Sequence, residues 1–325
     1  MTDLPAAAET NSLPKPAQPD LSPTENLAES SAHNLGEKNT GPSLAVAKFT
    51  SCDGCQLSLL NLEDHFLDLT RRFGIVEFPE ASSLRHAGPY DILLIEGSIS
   101  TPEQTELIQE LRKKAKILVT IGACATTGGV QALRNWANHD EFRASIYPHP
   151  EFISDLATST AIEDHVTVDF ALPGCPIHPD QLLELLSAFR AGRRPQFTDE
   201  AVCAECKRRG TVCVIVAQGI PCLGPVTRAG CHAICPSYER GCYGCFGPKE
   251  NANIDGFFTY LRETQGEAAI AQLFPAFTAC ATPFRDMLSV QNGRPVSVRV
   301  TSPNSNLPTT PIPPDSPNPN SPSQV

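Results

Sequence analysis

Along the middle of this 325-residue chain the apolar positions follow two different periods. Short, β-branched apolar runs at Leu44–Phe49, Gly74–Phe78, Asp91–Ile95, Lys116–Ile121 and Val166–Phe170 predict strands. Between and after them, a period near 3.6 residues over Gln56–Leu69, Pro102–Lys114 and Pro179–Arg190 predicts amphipathic helices. Strand alternating with helix is the pattern of a parallel, doubly wound sheet, so an α/β domain of flavodoxin-like type is expected over residues 44–195. A further helical pattern, Gly256–Val290, places a helical C-terminal segment at 251–300.

Both ends depart from these periods. Residues 1–43 carry six prolines and residues 301–325 eight, in a Ser/Asn/Thr background, and both are expected to be disordered tails. The net charge of −11 gives no reason to expect a nucleic-acid partner. No run reaches the roughly 18 apolar residues of a membrane span, and the N-terminus shows neither an apolar signal region nor a twin arginine. A cytoplasmic location without membrane attachment is therefore expected.

Cysteine placement carries the chemistry. Twelve of the thirteen cysteines fall into two sets. Cys52, Cys55, Cys124 and Cys175 each follow a predicted strand, in Cys52-Asp53-Gly54-Cys55, Ile121-Gly122-Ala123-Cys124 and Pro173-Gly174-Cys175-Pro176. Loops leaving the C-terminal ends of parallel strands converge on one edge, so four cysteines far apart in sequence are expected to meet there. Their Gly and Pro neighbours suit loops that turn sharply around an inorganic core, with Gly54, Gly122, Gly128, Gly129 and Gly174 in that role. The second set is Cys203, Cys206, Cys213, Cys222, Cys231, Cys235, Cys242 and Cys245, eight cysteines in 43 residues. Such density leaves little room for an apolar core of the segment's own and implies folding coupled to metal binding. Six basic residues against three acidic ones between 201 and 250 could offset anionic thiolate centres.

Four thiolates complete either one cubane iron–sulfur cluster or one structural zinc, and spacing leaves both readings open. The Cys175-Pro176 and Cys235-Pro236 steps resemble the Cys-Pro of ferredoxin-type clusters, which favours iron and a ferredoxin-like two-cluster domain over 196–250. Because such domains exchange ligands between clusters, the partition of the eight stays open.

Several motifs together resemble the nickel–iron hydrogenase small subunits, whose fold relatives include the small cluster-bearing subunit of respiratory complex I. They are Phe49 through Gln56, Ile121 through Ala125 with Gly128-Gly129, and Pro173 through Pro176. The run from Cys206 through Pro221-Cys222-Leu223-Gly224-Pro225 and Ala229-Gly230-Cys231 to Gly241-Cys242-Tyr243-Gly244-Cys245-Phe246-Gly247-Pro248 resembles the small, or delta, subunit of cytoplasmic NADP-linked hydrogenases of the sulfhydrogenase type. The resemblance covers about residues 44–290, and His232 stands where a glycine is expected. It implies an electron-transfer subunit of a bidirectional hydrogenase with three [4Fe-4S] clusters. A proximal cluster would sit on Cys52, Cys55, Cys124 and Cys175, and a medial and a distal cluster on the other eight. It also implies a separate large subunit with the NiFe centre, and flavin- and iron–sulfur-bearing subunits that reduce NAD(P). No catalytic acid, base or nucleophile is needed on this chain. Linkage to a deazaflavin or to a heterodisulfide reductase is the alternative, although the six residues between Cys206 and Cys213 favour the NADP-linked branch. A zinc-stabilised interaction protein is the alternative of another class.

Other residues have plainer expectations. His178 reads as an exposed loop imidazole, His65 and His149 lack partners in sequence, Asp53 reads as a turn former, and Cys280 as a small buried side chain. Glu96 either carries protons near the cluster edge or caps the next loop. No phosphate-loop pattern surrounds Gly128-Gly129.

Overall fold

A computed structural model describes residues 41–272 and 276–292. Most of both proline-rich tails, 1–43 and 301–325, lies outside the described residues.

Five parallel strands form one sheet: β1 (Ser43–Lys48), β2 (Gly74–Glu77), β3 (Tyr90–Glu96), β4 (Ala115–Ile121) and β5 (Phe170–Leu172). Their order is β2-β1-β3-β4-β5, the flavodoxin-like order. The continuous apolar runs follow from burial on both faces. Leu44, Val46, Ile92, Leu94, Val119 and Ile121 pack on one side with Leu59 of α1 (Gly54–Leu60), Leu69 of α2 (Asp64–Arg72) and Leu182, Leu185 and Leu186 of the helix Pro179–Arg190. Ala45, Leu93, Ile95 and Leu118 face the other side, against Ile108 and Leu111 of α3 (Pro102–Lys114). The remaining α-helices of this half are α4 (Gly122–Thr127), α5 (His139–Ile146) and α6 (Pro179–Arg190).

Two sequence expectations differ from the structure. The helix expected over 56–69 is two helices, because the backbone tightens after α1 and Glu63 adopts a φ of 50° while Leu62 turns into the core. The strand expected at 166–170 begins only at Phe170. Asp169 uses its carboxylate to accept the Leu118 N–H at 2.8 Å and to bind Arg112, and Val166 packs on the α3 side.

Residues 201–250 hold only short helices, α7 (Val202–Arg209), α8 (Val214–Gln218) and α9 (Ile234–Ser237), between irregular segments. Contrary to the expectation from cysteine density, this region has a substantial apolar core, most of it brought by the chain that follows. Val202, Val214, Leu223 and Val226 pack with Ile254, Phe258 and Leu261 of α10 (Ile254–Gln265), Ile270 of α11 (Glu267–Gln272) and Phe284 and Met287 of α12 (Thr282–Asn292). The helical pattern expected over 256–290 is thus three helices, with Cys280 in the turn before α12. Among the described residues no helix is long and apolar enough to cross a membrane.

Candidate metal centres

The C-terminal edge of the sheet builds the first thiol group. Phe49 leaves β1 bonded through its N–H to the Glu96 carbonyl at the end of β3, and the chain turns through Asp53 at a φ of 63° to open α1. Asp53 is a turn former, as expected, and its carboxylate binds Lys48 Nζ at 2.5 Å. This places Cys52 on the surface and Cys55 in the core. Gly122, with a φ of 85°, turns β4 directly into α4 so that Cys124 follows within three residues. The Ala123 N–H donates to the Gly174 carbonyl at 2.6 Å, which joins the Cys124 loop to the Cys175 loop.

Glycine is required where the backbone meets sulfur. A Cβ on Gly122 would collide with Cys55 Sγ, and one on Gly129 would lie 2.7 Å from Cys124 Sγ. Gly129 therefore makes room beside a thiol, while Gly128 meets Ala132 and the Ser159 backbone.

Burial pushes the Cys55 thiol far above its ordinary range, and Glu96, Cys124 and Cys175 add to the rise. Cys175 is pushed up to about 11 by burial, then by Cys124 and Cys52. Cys124 is also raised by burial, with Cys52 and Glu96 adding to it. The four thiols thus lie within one another's field, where thiolates need a cationic centre to offset them. Glu96 is buried and accepts the Cys55 N–H at 2.9 Å and Gln56 Nε2 at 2.8 Å, so it fixes the loop after β1 and not the loop after its own strand. Burial raises its pKa as well.

In the second set, Cys203 and Cys206 share a face of α7, Cys213 stands at the N-terminus of α8 on the surface, and Cys222 is buried. Cys203 and Cys206 are each pushed up to about 11, first by burial and then by Cys222, with Cys213 contributing to both. A Cβ on Gly224 would lie 3.3 Å from Cys222 Sγ and 3.6 Å from Cys203 Sγ. Cys245 is pushed up to about 12 by burial, then by Cys231, Cys175 and Cys235. Burial also raises Cys242, with Cys222 and Cys245 adding to it. Backbone donors point at these sulfurs: Cys242 N–H and Gly224 N–H reach Cys222 Sγ at 3.1 and 3.4 Å, and Gly244 N–H reaches Cys242 Sγ at 3.4 Å.

Two anchoring residues have little or no signature in the sequence. Gln131 Nε2 donates to the Thr50 carbonyl at 2.7 Å while its Oε1 lies 3.5 Å from Cys124 Sγ, so it links two cysteine loops. Glu205, buried between two cysteines of α7, accepts the N–H groups of Gly230 and Ala233 at 2.9 and 3.1 Å and so brackets Cys231. The sequence signal for Glu205 is a carboxylate inside a Cys-x-x-Cys; Gln131 has none.

His178 is not an exposed loop imidazole. It is half-buried, caps α6 by accepting the Asp180 N–H at 3.3 Å, and stacks on His232 with ring centroids 4.5 Å apart. His232 has a φ of 56°, the conformation that explains a glycine expectation at that position. Among the described residues, the ligand atoms of His178, Asp180 and His232 are the only His/Cys/Asp/Glu trio within 4.8 Å of one another. His149 pairs with Glu151 at 3.1 Å. Cys280 is half-buried rather than buried, lies apart from both sets, and bonds Asn135 Nδ2 at 3.6 Å.

Residues 52–189 match the family described as NADH ubiquinone oxidoreductase, 20 Kd subunit. The chain is 38% identical over 234 residues to sulfhydrogenase 2 subunit delta of Pyrococcus furiosus, a match that spans 72% of this chain and 98% of that relative. The chain belongs to the hydrogenase small-subunit family. A further relative, one of the subunits of the F420-non-reducing hydrogenase vhu of Methanococcus voltae, is 30% identical over 66% of this chain and 84% of its own length. A chain of the solved structure of an NAD+-reducing [NiFe]-hydrogenase in the H2-reduced state, 29% identical, aligns over 49% of this subunit and 96% of its own length with a TM-score of 0.46. As a hydrogenase subunit, this chain is part of an oxidoreductase.

Proposed function

We propose that this subunit carries electrons between the nickel–iron centre of a separate large subunit and a flavin-bearing partner that exchanges hydride with NAD(P). The observation that carries the reading is the convergence of Cys52, Cys55, Cys124 and Cys175 from three strand ends, with eight further thiols beyond them. The donor set fits iron–sulfur clusters better than zinc. Four thiolates on one zinc stand about 3.8 Å apart, the edge of a tetrahedron with bonds of roughly 2.3 Å, and no three cysteine sulfurs among the described residues lie within even 4.8 Å. A four-iron cluster binds each thiolate to a different iron and so holds them farther apart.

Cys52, Cys55, Cys124 and Cys175 would hold the proximal cluster. The mutual fields of Cys203, Cys206, Cys213 and Cys222 support their assignment to the distal cluster, and those linking Cys245 to Cys231, Cys235 and Cys242 support a medial one. The fields that cross this division, Cys175 on Cys245, Cys222 on Cys242, Cys231 on Cys206 and Cys235 on Cys222, support an order of proximal, medial, distal. When bound, such clusters supply reversible one-electron transfer. The chain's own contribution is to hold the thiols, to exclude water around Cys55 and Cys242, and to tune potential through N–H donors such as those of Gly224, Cys242 and Gly244.

NADP linkage is supported by the six-residue spacer between Cys206 and Cys213. A cytoplasmic location is supported by thirteen free cysteines, which suit a reducing compartment. Cys124→Ser tests the path in the anaerobically purified complex. It is expected to lose about four of about twelve irons and to abolish hydrogen-dependent NAD(P) reduction. Unchanged NAD(P) reduction would overturn the proximal assignment.

A further inference from the structure

Glu205 lies on α7 between Cys203 and Cys206, only 9% exposed, yet both of its oxygens serve another part of the chain. Oε1 accepts the Gly230 N–H at 2.9 Å and Oε2 the Ala233 N–H at 3.1 Å, and Oε2 stands 4.0 Å from Cys231 Sγ. The loop held in this way bends on both sides of Cys231, with φ of 142° at Gly230, 56° at His232 and 53° at Ala233. A Cβ on Gly230 would strike Gln181 Nε2 of α6, so the loop is packed from its other side as well. Among the described residues no cation forms an ion pair with the Glu205 carboxylate. Two of the basic side chains that follow it on α7 are engaged elsewhere, Arg208 with Glu200 at 2.6 Å and Arg209 with the His232 carbonyl at 3.0 Å. The field of Glu205 reaches thiols of both later groups. Burial raises the Cys231 thiol, and the Glu205 charge adds to the rise. Cys206 is raised first by burial, then by Cys222, Cys213 and Cys231, and after them by Glu205.

We propose that Glu205 is a positioning residue shared by the medial and distal clusters: its hydrogen bonds fix the Cys231 loop, and its charge holds the midpoint potentials of both clusters low. The role rests on the assignment of Cys203, Cys206, Cys213 and Cys222 to one cluster and of Cys231, Cys235, Cys242 and Cys245 to the other. Reducing a cluster by one electron adds one negative charge, and a nearby carboxylate opposes that addition most where water is excluded. The Cys231 cluster feels it across 4.0 Å, and the other cluster through the turn of α7 that carries Cys206. One carboxylate thus lowers both potentials together. An electron then passes between the two clusters without a large step, the donor oxidised by one and the acceptor reduced by one, with no bond made or broken. Both clusters stay reducing, as delivery to NAD(P) requires.

The test uses the anaerobically purified complex carrying Glu205→Gln, Glu205→Asp or Cys231→Ser. Iron and acid-labile sulfide per chain are measured, together with the midpoint potential of each cluster by redox titration followed by electron paramagnetic resonance. Glu205→Gln removes the charge at almost the same length. It is expected to keep about twelve irons and to make one-electron reduction of the Cys231 cluster about tenfold more favourable, about 59 mV, with a smaller rise at the Cys206 cluster and none at the proximal one. Glu205→Asp keeps the charge and is expected to keep both potentials low. Unchanged potentials in Glu205→Gln, a rise confined to one of the two clusters, or an equal rise in Glu205→Asp would overturn the role. Should Glu205→Gln shed the irons of the Cys231 cluster, its Cys206 cluster is compared with that of Cys231→Ser, which empties the same site with the carboxylate in place. A higher potential in Glu205→Gln supports the role, and an equal one overturns it. An unaltered complex without sulfide would sink the electron-carrying reading itself, whereas sulfide with unmoved potentials leaves that reading standing and removes only the role of Glu205.

Discussion

At Gly122 the backbone leaves β4 with a φ of 85°, and a methyl group there would collide with Cys55 Sγ. Gly122→Ala is therefore expected to lose about four irons per chain while the later centres stay loaded, because strain and collision meet at one atom. Iron and sulfide analysis checks this, and a full complement would contradict the role given to that turn. Cys280 is the contrasting residue. Its sulfur bonds Asn135 and the Ala132 carbonyl, away from both thiol sets, so Cys280→Ser should leave iron content unchanged. Loss of iron in that variant would show that the thiols are wrongly divided. At this scale the cysteines were legible because Gly and Pro frame them. Gln131 was not, since its partner Thr50 lies 81 residues earlier and no local pattern announces such a bond.

Among the elements, α3 and α6 have the limits the sequence predicts, for a physical reason. Each opens with proline at its first position after a capping side chain, Thr101 with Gln104 for α3 and His178 for α6. The break between α1 and α2 was hidden because apolar residues at 56–69 fit one helix as well as two, and only the burial of Leu62 decides. Likewise β5 is short because Asp169 binds the β4 backbone, a tertiary contact that periodicity does not encode. Where α6 leads on toward the second set, Glu184 accepts Arg193 at 2.6 and 2.7 Å and the Gln196 N–H at 2.8 Å. These bonds, Arg193 first, lower its pKa to about 2. A depressed carboxylate stabilises the fold above its unfolded value, near about 4.3, and that contribution fades as pH falls toward about 2. Glu184→Gln should lower Tm by about 1–3 °C at neutral pH and flatten the loss of stability on that acid limb, as followed by thermal unfolding across pH. An identical acid limb in the variant would remove Glu184 from the account.

The whole molecule joins a flavodoxin-like sheet, whose strand ends gather four thiols, to an irregular eight-cysteine region that shares a core with α10, α11 and α12. The α/β architecture was legible because strand and helix periods alternate and the strand runs at the centre of the sheet, β1, β3 and β4, are apolar on both faces. The grouping of the eight later cysteines was not, because irregular loops carry no period, and the core beneath them comes from residues up to 85 positions downstream of Cys203. The measurement that decides the account is iron, acid-labile sulfide and zinc per chain on anaerobically purified protein. About twelve irons with about twelve sulfides is the predicted result, the content of three four-iron clusters. About two or three zincs with negligible sulfide would contradict it and leave a structural metal protein with no electrons to carry.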